Sequence, residues 1–193
     1  MPVSPRRERE RAERHQLIIT TARELAEHEG WDAVTTRRLA EHIEYSQPVL
    51  YSHFSGKDAI IAAVATEGFA ELARALEAAR TSAKQTRARL AAIVHAYVEF
   101  AETNPALYDA MFTLSTELPF AQPDTPAPLQ DGFAQLHLVL GPLSGDGDPG
   151  LFTELGWSAL HGIVTLTRGG RLPRAAQAAR LDLLVEHLLA RTG

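Results

Sequence analysis

Apolar residues recur three and four apart along nearly the whole chain, while the strict alternation of a half-buried strand is almost absent. That spacing predicts an all-α protein of about nine helices. Residues 8–29 place Ile18, Ala22, Leu25 and Ala26 on one stripe, which stops at Gly30, a helix-ending residue. Trp31 and Val34 follow as apolar anchors of a short connection. Thr35 or Thr36 then caps a second, short helix holding Leu39, Ala40 and Ile43. Ser46, with Pro48 in the first turn where a missing N–H costs nothing, opens a third short helix through Val49, Leu50, Tyr51 and Phe54. Ser55-Gly56 breaks the pattern, and a long helix runs from Lys57 to about Arg80.

Beyond residue 83 the helices lengthen. One is predicted over about 84–103, with Leu90, Ile93, Val94, Tyr97 and Ala101 on its face. Asn104-Pro105 separates it from another over about 106–116. Residues 118–131 hold Pro119, Pro123, Pro126 and Pro128 and read as a loop. A helix over about 129–140, a Gly/Asp/Pro-rich turn over 141–150, and two last helices over about 150–168 and 173–191 complete the chain. Residues 151–166 carry one charge in sixteen, so that helix is expected to be covered on more than one side.

Composition narrows the function classes. The chain has 193 residues, 45% of them apolar and 22% charged, and no cysteine, so disulfides and thiolate metal sites are excluded. No stretch reaches the roughly 18–20 apolar residues of a membrane span. The arginines at the N-terminus have no apolar segment behind them, so a secretory signal is not expected and the reading is cytoplasmic. The net charge of −5 counts against nucleic acid until it is divided along the chain. Residues 1–57 hold nine Lys/Arg against nine Asp/Glu, with Arg6, Arg7, Arg9, Arg11 and Arg14 clustered. The local potential of one face matters for DNA, and that balance permits it.

Two short helices joined by a four-residue turn, with a third across them, make a helix-turn-helix. Leu39, Ala40, Ile43, Leu50 and Phe54 form its small core. Ser46, Gln47, Val49, Ser52 and His53 are left facing outward for the major groove, with Tyr51 partly exposed. The stretch TTRRLAEHIEYSQPVLYSHFSGKDAI resembles the DNA-binding signature of the TetR family of transcriptional regulators. The matches are Thr35-Thr36, Leu39-Ala40, Ser46, Leu50-Tyr51, His53-Phe54 and Lys57, with the Gln-Pro-x-Leu-Tyr-x-His order of the tetracycline repressors. One position departs from the pattern: Glu44-Tyr45 stands where most members have a turn glycine. A left-handed backbone there costs a non-glycine residue on the order of 1 kcal/mol.

Arg37 has the geometry to read guanine bidentately, Gln47 suits adenine, and Pro48 and Val49 offer apolar contact to a thymine methyl. The resemblance adds Thr36, Tyr51, His53 and Lys57 as phosphate binders. Tyr51 as a core-edge aromatic, His53 as a cap and Arg38 as a solvated charge are the plainer alternatives. Arg6, Arg7 and Arg9 offer further phosphate or minor-groove contacts, or only a polar helix start.

The C-terminal region matches the family in architecture. Leu181, Leu184, Val185 and Leu188 form a stripe that, with the preceding helix, would build a four-helix dimer bundle as in similar proteins. Trp157-x-x-x-His161-Gly162 resembles a pattern in one subset of TetR C-terminal domains, or serves packing alone. Tyr97, Met111, Phe112, Phe133, His137 and Trp157 are the candidates for a ligand pocket, equally able to fill a core. No metal site is expected; His95 and Glu99 are four apart, but convergence of three ligands is invisible in sequence. No cofactor is expected either, and no Ser/His/Asp spacing, phosphate loop or paired carboxylates suggest an enzyme. The sequence reads as a helix-turn-helix domain over 1–57, a connecting helix over about 57–80, and a helical regulatory, ligand-binding and dimerisation domain over 58–193. The expected function is a repressor that binds a palindromic operator as a homodimer and is released by an apolar or aromatic effector. The alternatives are an effector-free dimeric DNA-binding protein working architecturally or through a partner, and an enzyme on a helical bundle.

Overall fold

The computed structural model describes residues 5–114, 118–120 and 122–190. Among them are nine α-helices, three short 3-10 turns and no strand. The helices are α1 (Pro5–Glu29), α2 (Thr36–His42), α3 (Gln47–Tyr51), α4 (Lys57–Ser82), α5 (Thr86–Thr103), α6 (Pro105–Phe112), α7 (Ala127–Leu140), α8 (Pro149–Arg168) and α9 (Gln177–Leu189). No helix among the described residues is long and apolar enough to cross a membrane. Two compact units emerge: Met1–Gly68 with Asn104–Asp124, and Phe69–Thr103 with Thr125–Gly193. The motif-based boundary near residue 57 therefore differs from the division by packing, because α6 groups with the N-terminal helices.

In the first unit, α1 buries Ile18, Ile19, Ala22, Leu25 and Ala26, the stripe its spacing predicts. Gly30 follows with φ 82°, a backbone that costs glycine nothing. Thr35 is the N-cap of α2, its hydroxyl accepting from the Arg38 N–H at 3.2 Å. Ser46 precedes α3 with Pro48 in the first turn, but its side chain makes no capping hydrogen bond. Leu39, Leu50 and Phe54 are buried together with Val34.

α6 joins this unit through a cluster of bonds at its N-terminal end. The first N–H groups of a helix have no partner within it. Here the Glu27 carboxylate of α1 accepts from the Ala106 and Leu107 N–H groups, each at 3.0 Å. Its negative charge also suits the positive end of the helix dipole. The Trp31 Nε1–H donates to the Ala106 carbonyl at 2.8 Å, and Arg23 donates to Asn104 Oδ1 at 2.9 Å. Gly68 permits the close approach, since a Cβ there would lie 2.7 Å from Leu107 Cδ1 and Met111 Sδ. α6 ends at Phe112, short of the expected 116, and residues 115 and 116 of that expectation lie outside the described residues.

In the second unit α5 packs against α7, α8 and α9. α5 buries Leu90, Ile93, Val94, Tyr97 and Val98; α8 buries Phe152, Gly156, Leu160 and Val164. Gly156 accommodates Leu140, whose Cδ1 would lie 2.8 Å from a Cβ at that position. The loop expected over 118–131 yields its last five residues to α7, because Pro126 and Pro128 fall at the cap and first turn, where no N–H is needed. Residue 121 of that loop lies outside the described residues. The last helix begins at Gln177 rather than 173, after a 3-10 turn over Arg174–Ala176. α8 has one of its apolar faces covered within the chain. Leu151 and Leu155, on its other side, are 66% and 60% exposed.

The α2–α3 turn is closed by Glu44 with φ 57°, the one positive-φ non-glycine among the described residues. The Tyr45 N–H bonds to the Ala40 carbonyl at 3.0 Å, the 6→1 bond of a Schellman ending with Glu44 in the position that favours glycine. Left-handed backbone at a residue with a Cβ costs on the order of 1–2 kcal/mol. Glycine there gives back about 0.4–1 kcal/mol through a freer unfolded chain. Glu44→Gly is therefore expected to stabilise the protein by roughly 1 kcal/mol, read as a higher Tm. A lower Tm would show that the Glu44 side chain contributes more than its backbone strain costs.

Candidate nucleic-acid interface

α3 stands on the buried Leu50, so the residues around it on the helix face outward. Gln47 and Pro48 are exposed, Val49 half-exposed and Tyr51 54% exposed. The Tyr51 and Thr36 hydroxyls lie 3.5 Å apart, which places two phosphate-binding candidates from α2 and α3 side by side. The structure thus brings Thr36, Gln47, Pro48, Val49 and Tyr51 onto one outward surface. Arg37 is also exposed there, paired through Nε with Glu41 at 2.9 Å. Pairs this exposed are worth little and exchange partners readily.

Three basic residues do structural work that the sequence did not reveal. Arg38, expected as a solvated charge, forms a fork with both Glu29 carboxylate oxygens at 2.8 and 2.9 Å and ties α2 to the end of α1. Its hydrogen bonds hold the Glu29 carboxyl below the usual range, and Glu29 raises Arg38 in turn. Lys57, expected as a phosphate binder, donates through Nζ to the Trp31 carbonyl at 2.5 Å. An ammonium has three donors, so two remain for another acceptor. Arg11 of α1 reaches the Ser52 carbonyl at the end of α3, at 3.4 Å.

His53 is half-buried, and its Nδ1 is enclosed without a hydrogen-bond partner. His15 from α1 stacks on Phe54 at 4.4 Å and lies 6.1 Å from the His53 ring. His15 was missed, although it continues the buried stripe of α1 by one turn. Burial, then the nearby Arg11, His15 and Arg14, push His53 below the usual histidine range. The ring is thereby kept neutral, with a donor only where Nε2 carries its proton.

The six candidate ligand residues are divided between the units. Met111 and Phe112 are on α6 in the first, where Phe112 packs against Tyr108 at 4.7 Å. Tyr97, Phe133, His137 and Trp157 meet in the second. The Trp157 Nε1–H donates to Tyr97 Oη at 3.0 Å, and Phe133 meets Trp157 edge-on at 6.4 Å and His137 face-on at 6.3 Å. Thr153 donates its hydroxyl proton to the Pro149 carbonyl at 2.7 Å, so it can only accept from His137 Nδ1, 3.0 Å away. That places a proton on Nδ1, so in the neutral ring Nε2 is the acceptor. His161 is held below the usual histidine range by burial.

The dimer stripe requires correction. Leu181, Val185 and Leu188 are buried within their own subunit, where α9 packs on α5, and Leu184 is half-buried. The exposed leucines are instead Leu183 on α9, at 70%, and Leu151, Leu155 and Leu166 on α8. Among the described residues no three His, Asp or Glu side chains are grouped to hold a metal ion.

Residues 18–64 match the family model described as bacterial regulatory proteins, tetR family. Residues 90–192 match that of the tetracyclin repressor-like C-terminal domain. Over 95 residues the chain is 35% identical to an uncharacterized HTH-type transcriptional regulator, YobS, of Bacillus subtilis (strain 168). That match covers 49% of this chain and spans about half the length of the relative, 49%. A solved structure of a Rhodococcus sp. RHA1 protein of unknown function is similar at a TM-score of 0.73 and 26% identity, over 91% of this chain and 93% of that one. A tetR-family regulatory protein from Rhodococcus RHA1 shares the fold at a TM-score of 0.61 and 22% identity, over 90% of this chain and 96% of the other.

The environment of His53 has a consequence for stability. Its folded value is depressed, so the unfolded chain takes up a proton near 6.5 while the folded form still resists it. The stability this group contributes is complete above 6.5 and is lost as pH falls through and below that value. In thermal unfolding followed from neutral pH downward, His53→Gln should lose Tm less steeply than the wild type. Parallel curves would mean that the His53 ring charges freely in the fold.

Proposed function

The chain belongs to the TetR family of bacterial regulators, and from that membership we propose that it represses transcription as a homodimer on a palindromic operator and is released by a small-molecule effector. Proteins of this family are DNA-binding regulators, not enzymes. The observation that carries the DNA reading is the outward row of Gln47, Pro48, Val49 and Tyr51 on α3, above a buried Leu50. Gln47 would read adenine and Arg37, exchanging Glu41 for a base, would read guanine. Pro48 and Val49 would meet a thymine methyl. Thr36, Tyr51, His53 and the free donors of Lys57 would hold phosphates.

A palindrome needs two recognition helices related by a twofold axis. The leucines left exposed on α8 and α9 are apolar side chains available to such an interface. The double variant Leu155→Glu/Leu183→Glu is expected to be monomeric by light scattering and to lose the duplex that the wild type selects from a random pool, with its helical circular dichroism retained. A variant that remains dimeric would place the interface elsewhere.

The effector reading rests on the cluster of Tyr97, Phe133, His137 and Trp157. Its aromatic walls and the acceptor Nε2 of neutral His137 suit a flat apolar molecule carrying one hydrogen-bond donor. One observation favours the effector-free alternative: Tyr97 is wholly buried and its hydroxyl is already taken by Trp157. A thermal-shift screen of small aromatic compounds separates the two. A true effector stabilises by about 2.7 kcal/mol at a hundredfold excess over its Kd. It should also release the selected duplex, and His137→Leu should abolish both effects. A screen in which no compound both raises Tm and releases DNA would favour the effector-free protein.

A further inference from the structure

α1 is not part of the two-helix motif that reads DNA, yet it delivers a cation to the end of α3. Arg11 donates to the Ser52 carbonyl at 3.4 Å, beside His53 in the chain. Arg6, Arg37 and Arg38 each have a carboxylate partner, whereas Arg11 has none among the described residues. A guanidinium carries five donors, and the single bond to Ser52 leaves the rest for an anion. His53, at the same end of α3, is aligned by its surroundings. Its Nδ1 is enclosed with no acceptor, so a proton there would be buried and unsatisfied. The bonding pattern therefore assigns the proton to Nε2. The charged and titratable groups acting on the ring, Arg11, His15 and Arg14 from α1, are all basic. His15 is itself fixed by stacking on Phe54.

We propose that Arg11 of α1 binds the same DNA phosphate as His53, the guanidinium supplying the charge and a neutral imidazole supplying a directed N–H. The clamp rests on the DNA-binding reading above and extends it to a helix outside the motif. The two residues play separable parts. A phosphate contact made by a cation releases about 0.9 counterion per site, whereas a neutral donor releases none. Arg11 therefore contributes to the salt dependence of binding, and His53 contributes affinity without it.

The test uses the full chain and a mixed-sequence duplex, with binding followed by fluorescence anisotropy across a range of salt concentrations. Arg11→Gln is expected to weaken binding and to flatten the slope of log K against log salt by about 0.9 for each protomer bound. Arg11→Lys should restore most of the slope, which a merely structural cap of α3 would not require. His53→Ala should weaken binding with the slope unchanged, and His53→Gln, which keeps an amide donor near Nε2, should recover affinity. An unchanged slope in Arg11→Gln, with a lowered Tm, would overturn the clamp and make Arg11 a cap of α3. A slope that falls in His53→Ala would overturn the neutral imidazole. A wild type that binds no duplex at any salt concentration would overturn the DNA reading itself, and the clamp with it.

Discussion

The first N–H groups of a helix must find acceptors outside it, and at α6 two of them find one on α1. Pro105 has no N–H to satisfy, and Glu27 takes the next two at once. Trp31, in the turn after α1, fastens the same end through the Ala106 carbonyl. The Trp31 carbonyl in turn receives Lys57, at the start of α4. A short chain of bonds thus links α6, the end of α1 and the start of α4, and the helix-turn-helix is mounted on that frame. The Arg38–Glu29 fork secures α2 to the same end of α1. Remove the acceptors on α1 and the supports of the reading helix lose their common anchor.

Much of this unit was legible because its signals are local. Gly30, Thr35 and Pro48 each act within one turn of their own position, and each stands where its backbone preference places it. The strain at Glu44 was legible for the same reason, as a side chain where the turn favours glycine. The role of Glu27 was not legible. Its partners lie 79 and 80 residues away, and a carboxylate near a helix end has no sequence mark that names a distant helix. The stripe on α9 failed differently. Leu181, Val185 and Leu188 were correctly read as a buried face, but a stripe does not say what buries it, and α5 of the same chain does. α8 shows the converse, since its low charge reflects two apolar faces of which the subunit covers one.

Charge bookkeeping along the sequence also misleads about the outward face. The nine basic residues of the first 57 include Arg6, Arg37 and Arg38, all held by glutamates, and Lys57, held by a carbonyl. The potential that a duplex meets depends on which of these partners yield. Arg37–Glu41 is exposed and cheap to break, while Arg38 is forked between two oxygens and tied into the packing of α2 on α1. Geometry therefore separates cations that are free to serve DNA from those that hold the fold, where composition counts them alike.

The anchoring of α6 also bears on how the chain is made. A ribosome releases the N-terminus first, at about 5–20 residues per second. The segment from Gly68 to Phe112 therefore takes roughly 2–9 seconds to emerge after the helix-turn-helix is already outside. During that interval the Glu27 carboxylate and the Trp31 indole have only water to bond, and the surface that Leu107 and Met111 will cover at Gly68 stands open. The unit that holds the helix-turn-helix is synthesised early but completed late, by a helix encoded beyond its apparent end.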